Sequence, residues 1–206
     1  MMTKEKLIEL NLLYKEAKPS DIIKKAFEFS HEAVVTTNFR PYEVAILHAV
    51  NLVKSNVDVV WCDTGYNTPQ TYRHANEVIE KLQLIVSLYV PQQTAAYRDV
   101  LMGIPNVDDP KHALFTEQVK LEPFRRAMEI HKPKVWFTNL RKGQTAFRDS
   151  IGIFSISKVG VLKVSPFYFW SDTDLDAYLE EYNLPNEFKY FDPTKALENR
   201  ECGLHS

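Results

Sequence analysis

Between residues 33 and 61 the sequence changes its period twice, and that change limits the fold more than any other feature. "AVVTT" (33–37) and "VDVVW" (57–61) are short β-branched runs that fit a pleated, buried surface. Between them, "YEVAILHAVNLVK" carries apolar residues at helical spacing. The segment is therefore a predicted β–α–β unit. The alternation continues in "TPQTYRHANEVIEKLQ", which opens with Thr68 as N-cap and Pro69 at the first helical position and runs into the apolar "LIVSLYV". A helix through "LEPFRRAMEIH" leads to another strand pattern, "KVWFT", and "IFSIS" and "GVLKVSP" are shorter strand candidates. "SDTDLDAYLEEY" reads as a capped helix with acidic residues in its first turn.

Residues 1–30 predict two leading helices, the second with Ser20 as N-cap and Ile22, Ile23, Ala26 and Phe27 on one face. Residues 91–118, with Pro91, Pro105 and Pro110, read as irregular chain or short helix, and 183–206 shows no period. The expected fold class is α/β: a doubly wound, mostly parallel sheet in a single domain over 1–206, with a flexible C-terminal tail at 183–206. Sheets of this kind bind ligands at the carboxyl ends of their strands, so the residues just after each strand matter most.

Charge and cysteine usage narrow the function. The 25 basic and 27 acidic residues are spread along the chain and leave a net charge of −2, with no electrostatic footprint for nucleic acid or a membrane surface. No run approaches the ~18 apolar residues of a membrane span, and "MMTKEKLIEL" lacks the apolar core of a signal peptide, so a cytoplasmic protein is expected. Cys62 and Cys202 cannot supply four thiolates, and the six histidines lack ligand spacing, so neither a bound metal nor an iron–sulfur cluster is expected. A reducing compartment disfavours a permanent bond between the two cysteines.

Three polar clusters fall at strand ends. "TTNFRPYE" puts Thr36, Thr37, Asn38 and Phe39 at a helix start, where N–H groups and hydroxyls can receive a phosphate. It lacks glycine and Pro41 removes a donor, so an ordinary capped turn is the other reading. In "CDTGYNTPQTYR", Asp63 and Gly65 suit a tight turn that carries a carboxylate into a cleft, or an aspartate that caps the turn. In "TNLRKGQTAFR", Arg141, Lys142 and Arg148, together with "VKLEPFRR", can hold a polyanion or form a solvated charged face. Cys62 ends an apolar strand and reads as a buried structural thiol. Cys202, in "NRECGLHS", has Glu201 opposing its thiolate and Arg200 and His205 favouring it, so it is either an inert surface thiol or a reagent on a mobile tail.

These clusters, in this order, resemble the phosphoadenylyl-sulfate (PAPS) reductases of the sulfonucleotide reductase family. The matching stretches are "DTGY" with "PQTYR", "KLEPFRRAM", "WFTNLRKGQTAFR" and the terminal "RECGLH", and the resemblance covers about residues 30–206. It implies an adenine nucleotide α-hydrolase-like sheet on which Cys202 attacks the terminal sulfur of PAPS. Cys202 becomes an S-sulfocysteine and adenosine 3′,5′-bisphosphate leaves; thioredoxin or glutaredoxin then releases sulfite, in sulfate assimilation. By motif position, Lys120, Arg126, Arg141 and Arg148 are expected to line the phosphosulfate and phosphate groups. Asp63, Thr64, Gly65 and Tyr66, with Thr36 to Phe39, are expected to shape the nucleotide pocket, and Arg200 and His205 to accompany the nucleophile. The absence of the Cys-Cys pair and CxxC of cluster-containing relatives favours the 3′-phosphorylated substrate. A cluster-free adenylyl-sulfate reductase and a non-catalytic nucleotide-binding or regulatory protein are the alternatives. The segment before the terminal motif is shorter than in the family, with Lys189 and Lys195 as stand-ins for basic residues, and a homodimer is expected by analogy.

Overall fold

The computed structural model of the chain describes residues 2–195. Two helices lead, α1 (Lys4–Leu13) and α2 (Pro19–Phe29). The first β–α–β unit follows as β1 (Ala33–Thr37), α3 (Glu43–Val53) and β2 (Asp58–Cys62), and α4 (Pro69–Leu82) leads to β3 (Val86–Tyr89). The short helices α5 (Ala95–Leu101) and α6 (His112–Thr116) precede a π-helical turn, Glu117–Leu121, which runs into α7 (Glu122–His131) and β4 (Val135–Phe137). A 3₁₀ turn (Arg148–Ser150), β5 (Phe154–Ile156), β6 (Leu162–Val164) and α8 (Asp172–Glu181) complete the described elements.

The strands form one sheet in the order β3-β2-β1-β4-β6-β5, parallel throughout except for β5 against β6. The chain winds outward from β1 to β3, then returns to the other side of β1 for β4. This reversal opens a crevice above the carboxyl ends of β1 and β4, where doubly wound sheets bind ligands.

Alternation along the strands assigns the two faces. Val35, Val59, Trp61 and Phe137 pack with α2, α3 and α8, whereas Val34, Val60, Cys62 and Trp136 pack with Ala127, Phe124 and Met128 of α7. Full burial of Ile22 and Ile23 on α2 contributes about 1.5–3 kcal/mol each. On the edge strand, the Asn11 side chain of α1 bonds the Phe154 carbonyl (2.8 Å) and N–H (3.0 Å). Gly152 must be glycine for this contact: its φ is +84°, and a Cβ there would lie 2.6 Å from Asn11 Oδ1.

The predicted caps mostly hold. Thr68 accepts from the Thr71 N–H at the start of α4, and Ser171 and Asp174 form a reciprocal capping box on α8. Ser20 does not cap α2. The cap position is Lys18, without a side-chain bond, because Pro19 takes the first helical position and holds the residue before it extended.

Candidate functional site

The crevice at the switch point is a cleft lined by the strand ends of β1 and β4, by Lys120 and Phe124, and by Asp192 and Lys195. Its floor is aromatic. Trp136 of β4 and Phe124 of α7 stand with ring centroids 5.1 Å apart, and the indole N–H of Trp136 donates to Thr36 Oγ1 at 2.8 Å. Thr36, Thr37 and Asn38 after β1, and Thr138, Asn139 and Leu140 after β4, form the wall at the strand ends.

Lys120 enters from the opposite side. Pro123 in the first turn of α7 has no N–H for the Val119 carbonyl, and the helix entering it is wide: the Glu122 N–H reaches back to the Glu117 carbonyl. The bulge turns Lys120 inward, buried, and Nζ lies 2.5 Å from Asp192 Oδ2 and 3.4 Å from Thr194 Oγ1. Burial alone would raise the Asp192 carboxyl, but Lys120, with the Thr194 hydroxyl and N–H, holds it below the ordinary carboxylate value. Arg148, also buried, lines the cleft and donates through Nη1 to Gln144, while the Tyr168 hydroxyl donates to its carbonyl (2.7 Å).

The segment 183–195 closes the cleft. Asn186 Oδ1 accepts the Tyr42 N–H (2.9 Å), the Lys189 carbonyl accepts the hydroxyls of Thr68 (2.7 Å) and Thr71 (3.3 Å), and Asp192 and Lys195 reach the lining. Lys195 lies on the lining, and Lys189 contributes its backbone carbonyl to the start of α4.

Of the residues singled out in the sequence, Thr36, Thr37, Asn38, Lys120 and Arg148 come together on this lining. Phe39 lies beneath the turn, edge-on to Trp61 at 4.8 Å. Asp63 faces its own turn, accepting the Gly65 N–H (2.9 Å), the Asn67 amide (2.8 Å) and the Tyr72 hydroxyl (3.0 Å). Thr64 accepts the Tyr66 N–H, and the Tyr66 hydroxyl donates to Asp99 (2.7 Å). Arg126 pairs with Glu122 (2.8 Å) and lies over Tyr89; Arg141 pairs with Asp172 (2.6 Å) and lies over Tyr42. Arg200, Cys202 and His205 lie outside the described residues.

Several lining residues were not predicted: Glu43, Trp136, Asn139 and Asp192. Cys62 also lines the cleft, and burial pushes its thiol up to about 12, against the opposing pull of Lys120 and Arg126. It is a protonated thiol at neutral pH, in keeping with the structural role read from its strand. Among the described residues, no group of three or more His, Cys, Asp or Glu side chains can hold a metal ion, and no helix is long and apolar enough to cross a membrane.

A mostly parallel, doubly wound sheet with its cleft at the switch point is that of the adenine nucleotide α-hydrolase-like fold. Solved structures share this fold. PAPS reductase from Candida auris, in its phosphate complex, superposes with a TM-score of 0.79 over 90% of each chain at 23% identity. An FMN adenylyltransferase from Candida glabrata, in complex with ATP, reaches 0.60 over 87% of this chain and 58% of its own at 12% identity. The family model described as phosphoadenosine phosphosulfate reductase domain matches residues 32–191. A phosphoadenosine 5′-phosphosulfate reductase from Vibrio atlanticus is 30% identical over 200 residues, spanning 84% of this chain and 75% of that relative. The chain belongs to the phosphoadenosine phosphosulfate reductase domain family.

Proposed function

We propose that the chain reduces PAPS to sulfite and adenosine 3′,5′-bisphosphate in assimilatory sulfate reduction, through a sulfo group carried on Cys202. The observation that carries the reading is the family match over 32–191, which spans the strand-end turns and most of the cleft lining. In this reading the adenine base packs on the aromatic floor, and Lys120, Arg148 and Lys195 meet the phosphate charge that grows on the leaving group. Asp63 to Tyr66 hold the rim of the pocket, and Arg126 and Arg141 add positive field beside it.

The Cys202 thiolate attacks the sulfo sulfur. The new S–S bond forms as the S–O bond to the phosphate breaks, and the electron pair leaves with the bisphosphate. A thiolate of thioredoxin or glutaredoxin then attacks the Cys202 sulfur and sulfite departs with the bonding pair. The donor's second thiol closes its disulfide, so the donor is oxidised by two electrons and Cys202 returns to the thiolate. Arg200 and His205, beside the nucleophile in sequence, favour its ionised form. No metal enters this sequence of steps. By the same resemblance the enzyme works as a homodimer.

Sulfite release, measured with PAPS and with adenylyl sulfate, with and without thioredoxin, tests the reading. The expected result is thioredoxin-dependent sulfite from PAPS in preference to adenylyl sulfate. Cys202→Ser is expected to abolish sulfite formation while nucleotide affinity changes by less than about twofold. Sulfite production by that variant would remove Cys202 from the chemistry.

A further inference from the structure

The cleft is nearly full. About 50 Å³ of free space remains within it, against the roughly 300–1,000 Å³ of sites that enclose small molecules. Part of what fills it is a carboxylate of the chain's own segment 183–195: Asp192 Oδ2 lies 2.5 Å from Lys120 Nζ, and the two side chains are only 7% and 4% exposed. The other carboxylate oxygen accepts the Thr194 N–H (3.0 Å) and hydroxyl (2.7 Å), which fixes its aim.

The segment is attached in two different ways. As far as residue 189 it is tied by contacts that use no cation of the cleft: Asn186 Oδ1 accepts the Tyr42 N–H, the Phe188 ring stands edge-on to Tyr42 at 5.7 Å, and the Lys189 carbonyl accepts the Thr68 hydroxyl. Beyond it, the stretch 190–195 reaches the lining and binds Lys120. A phosphate brought to Lys120 with Asp192 still in place would put two like charges on one buried ammonium, so one of them must leave. The phosphate has more charge and more acceptor oxygens than the carboxylate, and Asp192 regains its hydration on swinging out.

We propose that Asp192 is a tethered counter-ion standing in for a nucleotide phosphate on Lys120, and that a nucleotide enters the cleft by displacing the stretch 190–195 about a hinge at Lys189. The proposal rests on the cleft being the nucleotide site. Asp192 then sets the apparent affinity, because the measured value is the intrinsic one reduced by the fraction of molecules in which Lys120 is free.

Calorimetric titration of adenosine 3′,5′-bisphosphate into the wild-type chain, Asp192→Asn and Asp192→Glu tests it. The asparagine removes the competing charge and is expected to bind the bisphosphate about tenfold more tightly, whereas the glutamate keeps the charge and is expected to stay within about threefold of wild type. Equal or weaker binding by Asp192→Asn, or the same gain in Asp192→Glu, overturns the proposal. Should the variants fail to fold, amide hydrogen exchange on the wild-type chain decides. Saturating bisphosphate is expected to speed exchange across 190–195 by about tenfold or more and to leave 183–189 unchanged. Unchanged or slower exchange across 190–195 in the presence of bound bisphosphate overturns the proposal. Absence of bisphosphate binding by the wild-type chain and by both variants refutes the nucleotide site itself.

Discussion

The turns after β1 and β2 share a plan and differ in what their acids face. Each leaves a parallel strand, each centres on one buried carboxylate, and each carboxylate collects local N–H and hydroxyl donors. Asp63 spends its oxygens inside its own turn, bracing Gly65, Asn67 and Tyr72. Glu43 does the same bonding on the cleft lining, at the N-terminus of α3. A carboxylate at a strand end thus braces its turn either away from the cleft or on its lining, and residue type alone does not decide between them. The segment 183–195 bonds both turns, through Asn186 to the first and the Lys189 carbonyl to the second.

Removing that shared cover has the largest expected effect. Asp192→Asn leaves the buried Lys120 charge without its counter-ion, and such losses destabilise by about 3–5 kcal/mol. Urea unfolding at neutral pH measures it; a shift under about 1 kcal/mol would show that Asp192 does not hold the segment. The same pair sets an acid limb. Because the folded carboxyl lies below its ordinary value, its contribution is fully present above the unfolded value of about 4 and is lost as pH falls through the folded one. The wild-type chain is therefore expected to lose this part of its stability on acidification, and Asp192→Asn to show a flatter acid limb.

Asp63→Ala comes next. Three donors lose a buried acceptor, and the expected destabilisation in urea unfolding is about 2–3 kcal/mol. A shift under about 1 kcal/mol would show that Asp63 does not brace its turn. Tyr66→Phe is the smallest, about 0.5 kcal/mol in thermal unfolding, because its bond to Asp99 is exposed.

Much of this frame was legible in the sequence, because β1, α3, β2 and α4 are specified by local period and caps: Thr68 and Pro69 mark a helix start wherever they occur in this order. The strand-end rule located the cleft in the same way, and Thr36, Thr37 and Asn38 lie on it. What was not legible depends on distance. The Lys120–Asp192 pair joins residues 72 positions apart, and Asp192 lies in a segment without period. The π-helical turn follows from Pro123 acting on a helix whose start was read at Leu121. Glu43 left one trace: a single carboxylate opening the otherwise apolar "VAILHAV" run, a position that demands partners once buried.

The two cysteines carry the central claim. Cys62 lines the cleft but is held protonated, with its thiol pushed up to about 12, whereas Cys202 is the proposed nucleophile. A single turnover with PAPS and no thiol donor, followed by peptide mass spectrometry, separates them. The account expects one sulfo group on the peptide containing Cys202 and none on that containing Cys62. A sulfo group on Cys62, or bisphosphate released while Cys202 stays unmodified, would contradict it.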